Sequence, residues 1–138
     1  MVAMYPAVEV PAVQLSTPSL DPEALLRLGE RLGTLREGIL VIGSGTMTHS
    51  FTVFRRPEPA GHTAAFDEWA TDAIARSDVD ALLDYRAKGP SADIAHPTAD
   101  HFVPLLLTLG ASTAPGRSVT TAFDGMWMGN SIRSVQAA

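Results

Sequence analysis

Ile39-Leu40-Val41-Ile42-Gly43-Ser44-Gly45-Thr46-Met47-Thr48-His49-Ser50-Phe51 carries four aliphatic side chains straight into two glycines and then reaches a histidine. A short apolar run rich in β-branched residues and bounded by glycine predicts a buried strand over 39–43, covered on both faces. The loop at the carboxyl end of such a strand is where α/β sheets place ligands, so His49 stands where chemistry is expected.

Upstream, Val8, Val10, Val13 and Leu15 alternate with other residues across 8–16, the period of a strand, with Pro11 holding it to an edge. Asp21-Pro22-Glu23 supplies an N-cap, a proline at the first helical position and an acidic first turn. Leu25, Leu28, Leu32 and Leu35 follow at helical spacing, which predicts an amphipathic helix over about 22–36 closed by Gly38. Strand, helix and the strand 39–43 make a βαβ unit with two parallel, right-handedly connected strands.

Downstream, two prolines and a glycine make 54–61 a loop, and helical periodicity resumes over 64–76 with Phe66, Trp69, Ala70, Ala73 and Ile74. Asp78 caps a shorter helix through Tyr85, and 88–93 is a second loop. A further helix is expected from Thr98 or Ala99 to Leu109, with Pro104 in its first turns and Gly110 ending it. Residues 117–123 and 126–135 are β-patterned around Asp124-Gly125, a hairpin signal, and they close the sheet as an antiparallel pair. The elements add up to one α/β domain with a mixed sheet and no internal repeat.

Composition narrows the function. The 138 residues are 46% hydrophobic and 18% charged, ordinary for one globular domain. A net charge of −5 argues against nucleic acid or an anionic membrane surface as partner, since both select clustered positive charge. The absence of cysteine excludes disulfides, thiolate metal sites and a cysteine nucleophile. The N-terminus has no signal-peptide pattern and no apolar run reaches the length of a bilayer span, so a cytoplasmic location is expected.

His49, His62, His96 and His101 all fall on segments read as loops or first helical turns, the pattern a site of acid–base or metal chemistry produces. None forms a His-x-x-x-His pair, so a metal would have to be assembled through tertiary structure. Gly43-Ser44-Gly45 could cradle an anion, but it lacks both the G-x-G-x-x-G spacing and a P-loop lysine, and two glycines equally serve a tight exit from the sheet. Ser44 with His49 lacks the G-x-S-x-G elbow of a serine hydrolase. Phe66 and Trp69 read as core, and Trp127 and Met128 as either pocket lining or sheet packing.

Several segments together resemble one family. Met4-Tyr5-Pro6, Val13-Gln14-Leu15-Ser16, Ile42-Gly43-Ser44-Gly45 with Thr48-His49, and Phe66-Asp67-Glu68-Trp69 are four of them. The others are His96-Pro97, Asp100-His101-Phe102-Val103-Pro104-Leu105-Leu106, and Met128-Gly129 with Ser131. They resemble, in order along nearly the whole chain, the class III extradiol ring-cleavage dioxygenases of the DOPA 4,5-dioxygenase-like branch, whose catalytic subunit is of the protocatechuate 4,5-dioxygenase β type. The resemblance implies a three-layer α/β sandwich around a non-haem Fe(II) or Zn(II), with a catechol-type substrate and O₂ as reactants. It makes His101 a metal ligand, His49 either the acid–base residue or a second ligand, and Ser44 a substrate contact. It gives His62 and His96 no role beyond the surface.

Family members are about twice this length, and the resemblance places the chain in the second half of their fold. The absent N-terminal half would hold two further ligand histidines and the first strands. Three readings follow: half of a dioxygenase completed by another chain, a non-catalytic remnant or binding subunit of the same fold, or an unrelated α/β metal-binding module. The open sheet edge predicts dimerisation or a complementing chain.

Overall fold

The computed structural model of the chain describes residues 11–35, 38–55, 60–112 and 119–137. Helix α1 (Pro22–Gly33) starts as its sequence dictates: the Asp21 carboxylate accepts a hydrogen bond from the Ala24 amide at 3.2 Å, and Pro22 fills a position whose N–H would have no partner. It stops at Gly33 rather than near residue 36, because the Thr34 hydroxyl folds back onto the Arg31 carbonyl at 2.7 Å, and Leu35 stands exposed. The helices that follow are α2 (Phe51–Arg55), α3 (Ala60–Ala75), α4 (Val79–Leu83), α5 (Tyr85–Lys88), α6 (Ala92–Ala95) and α7 (Val103–Ser112).

Helix α3 covers 64–75 of the expected 64–76 and begins earlier, taking in His62, and Asp78 caps α4 through the Ala81 amide at 3.0 Å. The chain then breaks at Asp84 before α5, and α6 occupies part of the segment expected as loop. Helix α7 starts at Val103 rather than at Thr98 or Ala99, which puts Pro104 in its first turn, and Gly110 does not end it. It is buried inside α7 against α1, where a Cβ would collide with the Leu26 carbonyl and come within 3.0 Å of the Glu30 amide. Gly29 answers from α1, facing the Leu107 carbonyl, so the two backbones meet with no side chains between them.

Among the described residues, neither apolar run flanking α1 forms a strand. Residues 11–16 have no regular structure, Val13 and Leu15 are exposed, and residues 8–10 lie outside the described residues. Residues 39–46 have no ladder partner, and Ile39, Leu40 and Ile42 are 54%, 64% and 52% exposed. The buried strand 39–43 and the βαβ unit are therefore not formed by the described residues. An apolar strand is buried only when other strands and layers cover it. Here Gly43 and Gly45 lie against the segment 101–108 so closely that a Cβ would meet the Pro104 and His101 carbonyls.

Among the described residues the β structure is antiparallel and confined to the C-terminal part. Strand β1 (Val119–Phe123) pairs with β4 (Ser134–Ala137), with a bulge between Thr121 and Phe123, and β2 (Met126–Trp127) pairs with β3 (Asn130–Ser131). The tight turn is Met128–Gly129, at φ 49° and 78°, and not Asp124-Gly125, which marks the break between β1 and β2. A two-residue hairpin loop of type I′ needs positive φ at both central residues, and Gly129 supplies one of them without strain. These two small ladders and the helices make a mixed α and β structure; the three-layer sandwich is not formed by the described residues.

The core lies among α3, α4, α5, α6 and the start of α7. Phe66, Tyr85 and Phe102 are buried and meet edge to face or tilted, with centroids 5.4 Å apart for Phe66–Phe102 and 4.5 Å for Tyr85–Phe102. Trp69 packs against this cluster, as its helical spacing predicts. Trp127 and Met128 are exposed on the hairpin and fill no core.

Candidate active site

Residues 46–50 are fastened at every step. The Thr46 amide donates to the His101 carbonyl at 3.0 Å, and the Met47 carbonyl accepts from His96 Nε2 at 2.8 Å. Thr48 is paired with Ser131 twice: its amide donates to the Ser131 carbonyl at 3.3 Å, and its hydroxyl accepts from the Ser131 amide at 2.7 Å. The His49 amide donates to the Ala95 carbonyl at 2.8 Å. The Asn130 side chain grips Ser50 at both ends, its Oδ1 accepting from the amide at 2.6 Å and its Nδ2 donating to the carbonyl at 3.2 Å.

This anchoring aims the His49 ring at His101, which opens the approach to α7. The two imidazoles stack with centroids 3.7 Å apart and planes 10° from parallel, and Phe51 closes on His49 edge-on at 4.8 Å. His101 Nε2 lies 3.5 Å from Asp100 Oδ2, and Asp100 is itself held by the Thr98 hydroxyl. Burial, and then the neighbouring His101, push the His49 pKa below the ordinary imidazole value. The Thr98 hydrogen bond, and then His101, hold the Asp100 carboxyl below its usual range. The lowered pKa favours the neutral His49 imidazole at pH 7, and the Asp100 carboxylate lies beside His101.

Ser44 is exposed on the extended run, one residue before the Gly45–Thr46 step that touches the His101 carbonyl. His62 is exposed in the first turn of α3, with Nδ1 2.7 Å from the Ser91 hydroxyl. His96 is a correction. It is not a surface residue but is fully buried against Phe66, Tyr85 and Phe102, and burial lowers its pKa to about 4.

Imidazole and carboxylate are suitable donors for iron or zinc. Their arrangement here does not make a metal centre by itself. Among the described residues no group of three or more His, Asp or Glu side chains is placed to hold an ion. Two nitrogens that share a metal must aim their in-plane lone pairs at one point, and rings stacked within 10° of parallel aim them side by side.

The catalytic LigB subunit of aromatic ring-opening dioxygenases, taken as a family, matches residues 1–132 of the chain. The chain belongs to that family. The LigB-family relatives include a protein of Beta vulgaris named 4,5-DOPA dioxygenase extradiol, 37% identical over 131 residues, which are 91% of this chain and 49% of the relative. A protein of the same name from Escherichia coli K12 is 30% identical over 145 residues, covering 99% of this chain and 53% of the relative. An uncharacterized Escherichia coli K12 protein of known crystal structure superposes with a TM-score of 0.84 at 29% identity, over 97% of this chain and 58% of the other. The chain thus spans about half the length of the curated relatives it matches. Membership bears out the resemblance read from the motifs and removes the unrelated metal-binding module from consideration.

The LigB-family motifs already contained residues whose part was invisible in sequence. Asp67 is buried on α3, where its carboxylate accepts from Arg133 Nε at 2.9 Å and Nη2 at 2.7 Å and from the Ser131 hydroxyl at 2.7 Å. Asn130, Ser131 and Arg133 follow a turn signal and have no spacing that marks them as site residues. Only the recurrence of Phe66-Asp67 and Ser131 among the resembling segments hinted at them.

Proposed function

We propose that this chain carries half of the site of an extradiol dioxygenase that opens the ring of catechol-type substrates with O₂. In this reading His49 takes a proton from a substrate hydroxyl, His101 is a metal ligand, and Ser44 contacts the substrate. The observation that carries it is the stacked His49–His101 pair, held by residues of four separate segments, in a chain of the LigB family. The lowered His49 pKa supports a base that is already neutral at pH 7. Fe(II) or Zn(II), which such a centre requires, would draw its remaining ligands from the half of the family fold that this chain does not span. That half would also complete the three-layer sandwich around residues 39–43. A cytoplasmic setting suits a chain free of cysteine, and among the described residues no helix is long and apolar enough to cross a membrane.

A second reading, a non-catalytic interaction subunit of the same fold, is favoured by the exposed Ile39, Leu40 and Ile42. One experiment separates the two. The purified chain, alone and co-expressed with the N-terminal half of the Beta vulgaris relative, is assayed for bound iron or zinc and for a yellow ring-fission product from DOPA under air. Metal and product in the co-expressed sample, lost on His49→Ala or His101→Ala, are expected. Association without metal or product would favour the interaction subunit.

A further inference from the structure

We propose that Asp67 is a positioning residue for His49, acting through Arg133 and the β2–β3 turn. Asp67 is the one buried carboxylate among the described residues, and it is bidentate to Arg133 while also accepting from Ser131. Arg133 is nearly as enclosed: the side chains are 16% and 10% exposed for Arg133 and Asp67. Replacing a buried ion pair by apolar residues is often neutral or stabilising, so what such a pair supplies here is geometry rather than net stability.

That geometry leads directly to the histidine. Ser131 commits its hydroxyl to Asp67 and its backbone amide and carbonyl to Thr48, so the carboxylate and the residue before His49 are joined through one residue. Asn130, the preceding residue, closes both backbone groups of Ser50. The turn is docked a third time where the Thr63 hydroxyl donates to the Gly129 carbonyl at 2.6 Å, again from α3. His49 therefore hangs between two grips of one turn, and α3 sets the height of that turn through Asp67. Thr48, Ser50, Asn130 and Ser131 are all buried, which keeps water from competing for these bonds.

The inference goes beyond the ring-cleavage reading and does not depend on it, because it concerns where the His49 ring lies and not what it reacts with. The test is carried out by NMR on the full 138-residue chain, using cross-relaxation between the His49 and His101 rings as the signature of the stack. Asp67→Asn and Thr48→Val are expected to reduce that signal at least about twofold while the Phe66–Phe102 contacts persist, and Thr48→Ser, which keeps the hydroxyl, restores it. Should Asp67→Asn fail to fold, Thr48→Val and Ser131→Ala, each removing one hydrogen-bonding group, decide alone. An unchanged ring–ring signal in the folded variants would overturn the proposal. So would its loss only together with the Phe66–Phe102 contacts.

Discussion

His96 illustrates how far a single residue's role depends on its surroundings. In sequence it is one of four histidines and stands next to a proline; folded, it is sealed among three aromatic rings, with Nε2 donating to the Met47 carbonyl. Burial disfavours the imidazolium and sets the pKa at about 4, against 6.5 for the free side chain. The folded state therefore binds fewer protons than the unfolded chain between those values. The stabilisation is complete above pH 6.5 and is lost as pH falls toward 4, by about 3 kcal/mol from one group. Urea unfolding at about pH 7.5 and about pH 4.5 is expected to show that loss, and His96→Leu to lessen it. An identical pH slope in the variant would dissociate acid sensitivity from His96. By contrast, His49 and His101 are legible in the amino-acid sequence, one from its place after a glycine-bounded apolar run and the other from the family motif.

Among the elements, α1 and α7 show a contact that periodicity misreads. Helical spacing identifies the leucine face of α1, and Leu25 is indeed buried, but the crossing itself is made by Gly29 and Gly110. A glycine near the end of an apolar helix reads as a terminator; here it admits another backbone. Gly29→Ala places a methyl group within 2.9 Å of the Ala111 amide and against the Leu107 carbonyl, and backbone cannot rotate aside as a side chain can. Destabilisation of about 1–3 kcal/mol is expected for Gly29→Ala or Gly110→Ala, the usual cost of overpacking a filled core. Thermal unfolding followed by circular dichroism measures it, and an unshifted midpoint would show that the helices separate freely. The hairpin is legible as a pair of β segments, while its turn is misplaced, because Asp-Gly is the stronger local signal and Met128–Gly129 is selected by docking onto α3.

Across the whole molecule, the apolar run 39–42 is the place where sequence and structure part. Its residues have the character of an interior strand, yet no strand or opposing layer covers them among the described residues. A backbone outside any ladder, beside exposed aliphatic side chains, is open to pairing with another chain. Sedimentation of the 138-residue chain is expected to show concentration-dependent association, and the double substitution Leu40→Lys with Ile42→Lys to shift it to monomer. A monomer at every concentration, or association unaffected by the lysines, would remove this run as the adhesive surface.

Caps, periodicity and motifs are local properties of neighbouring residues, and they suffice for the capped start of α1, most of α3, the existence of α7, the two histidines that meet, and the family. Tertiary structure was needed to show that His96 is interior, that Gly110 is a contact rather than an end, and that Asp67 reaches the His49 segment through a distant turn. Burial and long-range hydrogen bonds are relations between segments, and the physical character of a residue leaves open which neighbours the fold will bring to it.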